Sequence, residues 1–135
     1  MATISQAQYV NEALEKQLGF AACVQSGNML HLSGLIAADE KLQVVSHGDM
    51  AGQIRHIYDS MEMVLGLHQA TLANVVNEFL FVTDMQALAA AGAVRVERYS
   101  RHPACAFPAT TAVKVAGLFL PEAMIEIQAT AMLGS

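Results

Sequence analysis

The chain has 135 residues, of which 54% are hydrophobic and 14% are charged. Because an average soluble domain carries about 25% charged residues, this chain has more apolar surface than one small core needs, which favours self-association over a monomer. Seven basic and twelve acidic residues give a formal net charge of −5, and the basic residues form no continuous strip. Nucleic-acid binding is disfavoured, since contacts to phosphates supply most of that affinity.

The length and the distribution of apolar residues indicate one domain without a membrane span. A chain of this size corresponds to a single domain, here residues 1–135. The longest uncharged run, residues 63–77, is interrupted by glycine and polar side chains and lacks the roughly 20 apolar residues of a spanning helix. The first six residues do not resemble a signal peptide, so we expect a cytoplasmic protein without a membrane partner.

The first regular elements in chain order are two strands joined by a tight turn. Residues 21–25 and 29–36 flank the sequence Ser26-Gly27-Asn28, which is typical of a hairpin turn. In the second strand, Leu30 and Leu32 fall on one face. We therefore predict a hairpin with an apolar face toward the core.

Two helices with a strand between them follow the hairpin. Apolar residues recur at steps of three and four over residues 49–65, and Gly66 stands where that helix would end. Residues 75–82 form a nearly continuous apolar strand, and residues 85–100 read as an alanine-rich helix. Three arginines on this second helix, spaced three apart, are expected to form a solvated face: Arg95, Arg98 and Arg101.

The last third of the chain contains two further strands. Residues 107–118 alternate in the manner of a strand, and residues 124–131 do so with a period of two. One face of the final strand is apolar and should meet the helices, whereas the other carries Glu126, Gln128 and Thr130. This second face is too polar for an ordinary core and too uncharged for a free surface, so we assign it to a subunit interface or a pocket.

Several of these segments together resemble the RidA/YjgF family of imine deaminase-like proteins. The resemblance rests on five stretches that span almost the whole chain: Gly27-Asn28-Met29, Ser33-Gly34, Gln53, Phe81-Val82-Thr83-Asp84, and residues 107–118 with the following Ile125-Glu126-Ile127. It implies an α+β fold of the chorismate-mutase-like type, with a mixed β-sheet packed on two helices. It also implies a homotrimer that binds a small-molecule ligand in clefts between subunits.

The resemblance assigns roles to individual residues. Glu126 aligns with the glutamate that positions or activates water for imine hydrolysis, a role suited to a partly buried carboxylate with a raised pKa. Ser33 and Gly34 match a Ser-Gly pair that lines the cleft, where glycine leaves room for close approach. The alternative interpretations are a structural edge glutamate at position 126 and a β-bulge at positions 33 and 34.

The chain departs from the family pattern at the position of the substrate-holding arginine, which is Thr110 here. A neutral hydroxyl replaces neither the charge nor the bidentate geometry of a guanidinium. Ala112 stands in place of a cysteine, and Phe20 in place of a pocket tyrosine. We therefore expect a site formed by five residues in addition to Gly34, namely Phe20, Ser33, Thr110, Thr111 and Glu126.

Two functions remain open from the sequence. The first is hydrolysis or deamination of an imine, enamine or related metabolite other than the usual 2-aminoacrylate, unless another cation such as Arg101 anchors the carboxylate. The second is a non-catalytic ligand-binding or protective trimer. His102 and Cys105 lie near each other in a loop and would form a reactive thiol only if they met. Histidine spacing and glycine pattern indicate no metal and no cofactor.

Overall fold

The computed structural model describes residues 5–102 and 106–134, and this part of the chain forms one mixed β-sheet with helices against it. The helices are α1 (Glu12–Leu18), α2 (Met50–Gly66) and α3 (Met85–Ser100). The strands are β1 (Gln6–Gln8), β2 (Cys23–Ser26), β3 (Met29–Leu32), β4 (Leu35–Ile36), β5 (Val75–Val82), β6 (Ala109–Lys114) and β7 (Ile125–Met132).

The sheet has the order β1-β2-β3-β7-β5-β6, and β4 also pairs with β7. Most neighbouring strands are antiparallel, whereas β5 and β6 are parallel and are joined through α3. The final strand therefore lies at the centre of the sheet, between β3 and β4 on one side and β5 on the other. This places Glu126 of β7 between Ile36 and Phe81 of its two neighbours.

The predicted hairpin is confirmed, and its second strand is interrupted. Ser26 pairs with Met29, so the turn is tight, and Leu30 and Leu32 are buried as expected. His31 pairs with Thr130 and Leu35 pairs with Ile127, so four steps along the β3–β4 segment match three steps along β7. The extra residue forms a bulge at Ser33 and Gly34, which bends the strand there.

The α2 helix begins and ends almost where the sequence pattern predicts. The Asp49 side chain accepts a hydrogen bond from the Gly52 backbone nitrogen at 3.0 Å and so caps the first turn. Gln53 is fully buried and donates to the carbonyls of Ser46 and Glu122, while its own carbonyl accepts from the Met124 backbone nitrogen. Gln53 therefore fixes the chain segment that leads into β7.

The apolar face of α2 packs on the apolar face of β7, as the two periodicities predict. A single core contains the helix residues Ile54, Ile57 and Met61 and the strand residues Ile125 and Ile127, all at most 1% exposed. Burial of each such side chain contributes roughly 1.5–3 kcal/mol. The opposite face of β7, which begins with Glu126, points away from this core.

The prediction of a solvated arginine face on α3 is wrong for two of its three members. The Arg95 side chain is 16% exposed and pairs with the buried Glu78 at 2.7 Å. Arg98 is buried and pairs with Asp59 and Glu62 of α2. Only Arg101 behaves as expected among the three, with an exposed i,i+4 pair to Glu97. The spacing correctly indicated that these arginines share one face of the helix. That face packs on α2 and β5 instead of facing solvent.

The sequence did not predict β1 or α1. Each is short, and α1 lacks a long apolar stripe. The α1 helix ends at Gly19, whose φ of 86° is a left-handed conformation that glycine adopts without strain. These two elements matter because α1 forms one wall of the cavity described below.

Within the described ranges, no helix is long and apolar enough to cross a membrane. The same residues contain no group of three or more His, Cys, Asp or Glu side chains that is arranged to hold a metal ion.

Candidate functional site

A cavity of about 740 Å³ lies beside the interruption between β3 and β4. Its walls come from α1, from the segment around Ser33 and Gly34, from α2, from the loop at Phe119 and from Glu126 of β7. Cavities of this size suit small organic ligands. The cavity brings together four of the six residues predicted for the site: Phe20, Ser33, Gly34 and Glu126.

The Glu126 carboxylate is the polar group of this cavity that is most available for chemistry. Burial raises its pKa above the usual range. The structure places no hydrogen-bond donor or cation from the described residues on its oxygens, whereas the carboxylates of Glu15 and Asp39 in the same cavity accept backbone hydrogen bonds. A partly desolvated carboxylate without an internal partner is suited to accept a proton from water or from a ligand.

Gly34 allows the Glu126 side chain to occupy this position. A Cβ atom added at Gly34 would lie 2.7 Å from Cδ of Glu126 and closer still to its Oε2. A Cβ atom essentially never lies this close to another heavy atom, so a larger residue at position 34 would displace the carboxylate. The bulge and the close approach of Glu126 therefore occur at the same glycine.

The Ser33 hydroxyl is already engaged within the chain. It donates to the Ala21 backbone carbonyl at 2.6 Å, while the Ser33 backbone nitrogen donates to the Ala22 carbonyl at 3.0 Å. Both bonds hold the bulge against the segment before β2. The hydroxyl hydrogen is therefore not available to a ligand, but the oxygen retains the capacity to accept a hydrogen bond.

Aromatic side chains form the open edge of the cavity. Phe20 is 42% exposed and Phe119 is 69% exposed, although both are large and apolar. Exposed aromatic rings at a cavity mouth are typical of a surface that a ligand or another protein chain covers. Phe20 thus lines this cavity and offers an apolar surface without a hydroxyl.

The structure places Thr110 and Thr111 outside this cavity, on the exposed edge strand β6. The Thr110 hydroxyl donates to the Pro108 carbonyl at 2.9 Å and accepts from Nη2 of Arg95 at 2.6 Å. Thr111 pairs with Phe79 of β5 and lies on the opposite face of the strand. Within one chain, neither threonine can contact a ligand that is bound at Glu126.

The cationic side chain that contacts Thr110 is Arg95 rather than Arg101. Sequence reasoning proposed Arg101 because it precedes the motif in the chain, but its guanidinium pairs with Glu97 on the surface. Arg95 lies two turns earlier on α3 and reaches the strand across the helix–sheet contact. Its charge is shared with Glu78, to which Nε and Nη2 both donate.

A buried cluster around Glu78 was missed by the sequence analysis. Glu78 is fully buried, and its carboxylate accepts hydrogen bonds from the hydroxyls of Tyr58 and Tyr99 at 2.6–3.0 Å in addition to the Arg95 pair. Burial and the adjacent Glu78 charge raise the pKa of both tyrosines, which therefore stay protonated. The available signal was a charged residue, Glu78, in a strand that is otherwise apolar except for Asn77.

The sequence suggested a reactive thiol if His102 and Cys105 met, and the structure describes only the first of these two residues. His102 lies near Glu62, with 3.5 Å between its Nε2 and a carboxylate oxygen. Cys105 falls outside the described residues, so the suggested contact between the two side chains stays a prediction.

Comparison with known proteins supports the same fold. The family model described as Endoribonuclease L-PSP matches residues 10–133. The 3-aminoacrylate deaminase RutC of Acinetobacter baylyi is 30% identical over 112 residues, covering 83% of this chain and 85% of that protein. A RutC family protein of Sulfurisphaera tokodaii is 28% identical over 86% of this chain and 90% of that protein.

Solved structures of similar proteins superpose over nearly the whole chain. The YjgF gene product of E. coli has a TM-score of 0.76 at 27% identity, covering 98% of each chain. Rv2704 of Mycobacterium tuberculosis, described as a member of the YjgF/YER057c/UK114 family, has a TM-score of 0.78 at 26% identity, covering 96% of this chain and 99% of that one. With a family model that extends from residue 10 to residue 133, the chain belongs to the RidA/YjgF family.

Proposed function

We propose that this protein hydrolyses the C=N bond of a small imine, or of an enamine that tautomerises to one, with Glu126 as the catalytic base and acid. The observation that carries the proposal is the unpartnered, partly buried Glu126 carboxylate in a ligand-sized cavity. The deaminase activity of the relative RutC, which acts on 3-aminoacrylate, supports the same reaction type.

The proposed reaction needs one group that accepts and returns a proton. Water adds to the carbon of a protonated imine while Glu126 accepts a water proton, which gives a neutral carbinolamine. Glu126 then returns the proton to nitrogen, the C–N bond breaks, and the hydroxyl proton leaves with ammonia. The products are a carbonyl compound and ammonium. Such acid–base assistance contributes about 10²–10⁴-fold to a rate.

We also propose that the working form is a homotrimer in which a neighbouring subunit covers the cavity. The outer face of the sheet carries exposed apolar side chains without a covering element in the described chain: Val76, Phe79, Val113 and Met132, each 38–47% exposed. Every residue of the edge strand β6 is exposed as well. A second copy on this surface would cover an edge strand whose free backbone groups could otherwise pair with strands of other chains.

Assembly also gives Thr110 and Thr111 a route to the ligand. Both are remote from Glu126 within one chain but lie on a strand that a neighbouring subunit can approach. The proposed site is then composite, with Phe20, Ser33, Gly34 and Glu126 from one subunit and the threonines from the next.

The reaction is tested by ammonia release from imines and enamines generated in situ, with wild-type protein against Glu126→Gln. We expect wild-type protein to accelerate release from at least one substrate and Glu126→Gln to lose about 10²–10⁴-fold of that acceleration with an unchanged fold. Glu122→Gln is the matched control, because Glu122 is exposed and outside the cavity. Equal turnover by the Glu126 variant would remove Glu126 from the chemistry.

The assembly is tested by light scattering coupled to size exclusion at micromolar concentration. A mass three times that of the 14.4 kDa chain is expected. A persistent monomer would exclude both the trimer and the composite site.

A ligand-binding protein without turnover is the second candidate. It is favoured by the internal bonds of Ser33 and Thr110, whose hydroxyl hydrogens are both used within the chain. A single free carboxylate would then orient a bound molecule without further polar help. Ligand-induced stabilisation without ammonia release from any substrate would favour this function.

The cytoplasmic location stays a prediction.

A further inference from the structure

The cavity around Glu126 has an unbalanced charge. Four carboxylate residues line it, namely Glu15, Asp39, Glu40 and Glu126. Among the described residues that line the cavity, His56 is the one basic residue. None of the lining residues in the described chain is lysine or arginine. A ligand that carries a carboxylate would therefore enter a cavity lined by more acidic than basic side chains and by no guanidinium or ammonium group.

Two of these carboxylates are held in place by backbone amides. Both oxygens of Glu15 accept hydrogen bonds, from the backbone nitrogens of Val10 and Asn11 at 3.0 and 3.1 Å. Asp39 accepts from the backbone nitrogens of Lys41 and Gln43, and these bonds lower its pKa. Asp39 therefore stays ionised at neutral pH, and the two backbone hydrogen bonds fix one of its carboxylate oxygens.

His56 and the neighbouring Lys41 are the basic side chains that act on Asp39, and both lower its pKa. The Nε2 of His56 lies 3.1 Å from the Ala38 backbone carbonyl, which fixes the ring against the wall of the cavity. The four carboxylate residues of the cavity therefore outnumber the basic side chains near them.

Arg95, the cation beside Thr110, is already neutralised within the chain. It forms an ion pair with Glu78 at 2.7 Å, and the cluster as a whole is neutral when both groups are ionised. If a neighbouring subunit brings Thr110 to the cavity, it brings a hydroxyl and a paired guanidinium rather than a free positive charge. A carboxylate ligand would have to compete with Glu78 for Arg95.

Most of the remaining residues that line the cavity are apolar. Leu14, Leu18, Ile36 and Leu120 line it together with the aromatic rings at its mouth. Such a surface binds a hydrocarbon group, whereas Glu126 offers an acceptor to a protonated nitrogen at one end.

From this combination we infer that the substrate is a neutral or cationic imine with an apolar hydrocarbon group and no carboxylate. The inference rests on the proposed function of the same cavity and narrows its substrate class. The protonated form, R₂C=NH₂⁺, would place its N–H groups on Glu126, and water would convert it to R₂C=O and NH₄⁺. The substrate would be supplied by a reaction that oxidises an apolar amine.

The test compares two imines that differ by one carboxylate. An amine oxidase generates 3-methylbutan-1-imine from 3-methylbutylamine, and an L-amino-acid oxidase generates 2-imino-4-methylpentanoate from leucine. Ammonia release is measured with and without the protein, with catalase present to remove peroxide. We expect at least a tenfold higher kcat/KM for the imine without a carboxylate. Equal or faster hydrolysis of the leucine-derived imine would overturn the inference.

Binding of stable probes separates failure of the inference from failure of the proposed function. NMR titration with 3-methylbutylammonium, 3-methylbutanamide and 3-methylbutanoate compares positive, neutral and negative ligands of one size. Tighter binding of the ammonium than of the carboxylate supports the inference even if neither imine is hydrolysed, in which case only the hydrolase function fails. Tighter binding of the carboxylate overturns the inference whatever the turnover.

A charge-reversal variant tests whether the cavity charge causes the preference. Glu40 is exposed at the cavity edge, and Glu40→Lys should weaken ammonium binding several-fold and strengthen carboxylate binding. Glu122→Lys makes the same change of charge away from the cavity and should have little effect. Equal effects of the two variants would show that net charge, rather than the cavity, sets the preference.

Discussion

Glu78 and Glu126 lie on neighbouring strands of one sheet, but the two carboxylates have opposite environments. Glu78 of β5 faces the helices, is fully buried and accepts hydrogen bonds from Tyr58, Tyr99 and Arg95. Glu126 of β7 lies on the other face, is partly buried and has no donor from the described residues. The sequence singled out the second and overlooked the first.

The comparison teaches that partners, rather than burial alone, distinguish a structural carboxylate from a reactive one. A buried carboxylate whose oxygens all accept hydrogen bonds stabilises the fold only as part of that hydrogen-bond network. Removal of one partner from the network lowers the free energy of unfolding strongly. A carboxylate left without donors keeps the capacity to bind a proton or a ligand. The four predictions below separate these two roles, in order of decreasing expected effect.

Glu78→Gln should destabilise the protein by about 3–5 kcal/mol, because it leaves the Arg95 guanidinium without its charged partner. The glutamine amide NH₂ group would also face the hydrogen-bond donors that surround this position. Urea unfolding measures the loss. Glu97→Gln is the control: it breaks an exposed pair and should change the stability little. A loss below that of the control would mean that the Glu78 cluster is not structural.

Gly34→Ala should reduce the proposed hydrolysis about 100-fold, because the added Cβ displaces the Glu126 carboxylate and a shift of about 1 Å can have that effect. Steady-state ammonia release measures it. Gly92→Ala in α3 is the control, since an added Cβ there meets nothing within 4 Å. Unchanged activity of Gly34→Ala would show that the position of Glu126 is not critical.

Tyr99→Phe should cost about 1.5–3 kcal/mol, because it removes a 2.6 Å hydrogen bond to the buried Glu78 carboxylate while the ring contacts remain. Thermal or urea unfolding provides the measurement, with Tyr9→Phe outside the cluster as control. A cost similar to that of Tyr9→Phe would indicate that Tyr58 and Arg95 satisfy Glu78 without Tyr99.

Glu126→Gln should give the smallest effect, a pH-dependent gain in stability. Burial raises the native pKa of Glu126, so the contribution of this residue to stability is greatest below its pKa in the unfolded chain and falls as pH rises through its native pKa. The glutamine variant lacks this loss. It should be more stable than wild-type protein at pH 7, with a difference that shrinks near pH 3. A difference that grows on acidification would contradict the raised pKa.

The sequence by itself determined the main elements and the orientation of the final strand. The apolar periods placed α2, β5 and α3 within one residue of their bounds and assigned Ile125 and Ile127 to the core. These features are local, because the spacing of apolar residues along one element decides which of its faces is buried. The family resemblance assigned Gly34 and Glu126 to one cleft, but the close approach of the Glu126 side chain to Gly34 was not predicted.

Only the tertiary structure decided which polar groups meet. Glu78 contacts partners 17, 20 and 21 residues away, and Arg95 reaches Thr110 across 15 residues, so no local pattern reports these contacts. For the same reason the sequence could not reveal that the Ser33 hydroxyl bonds to Ala21. Side chains compete for hydrogen-bond partners in three dimensions, and among the described residues the outcome leaves the partly buried Glu126 carboxylate without a donor.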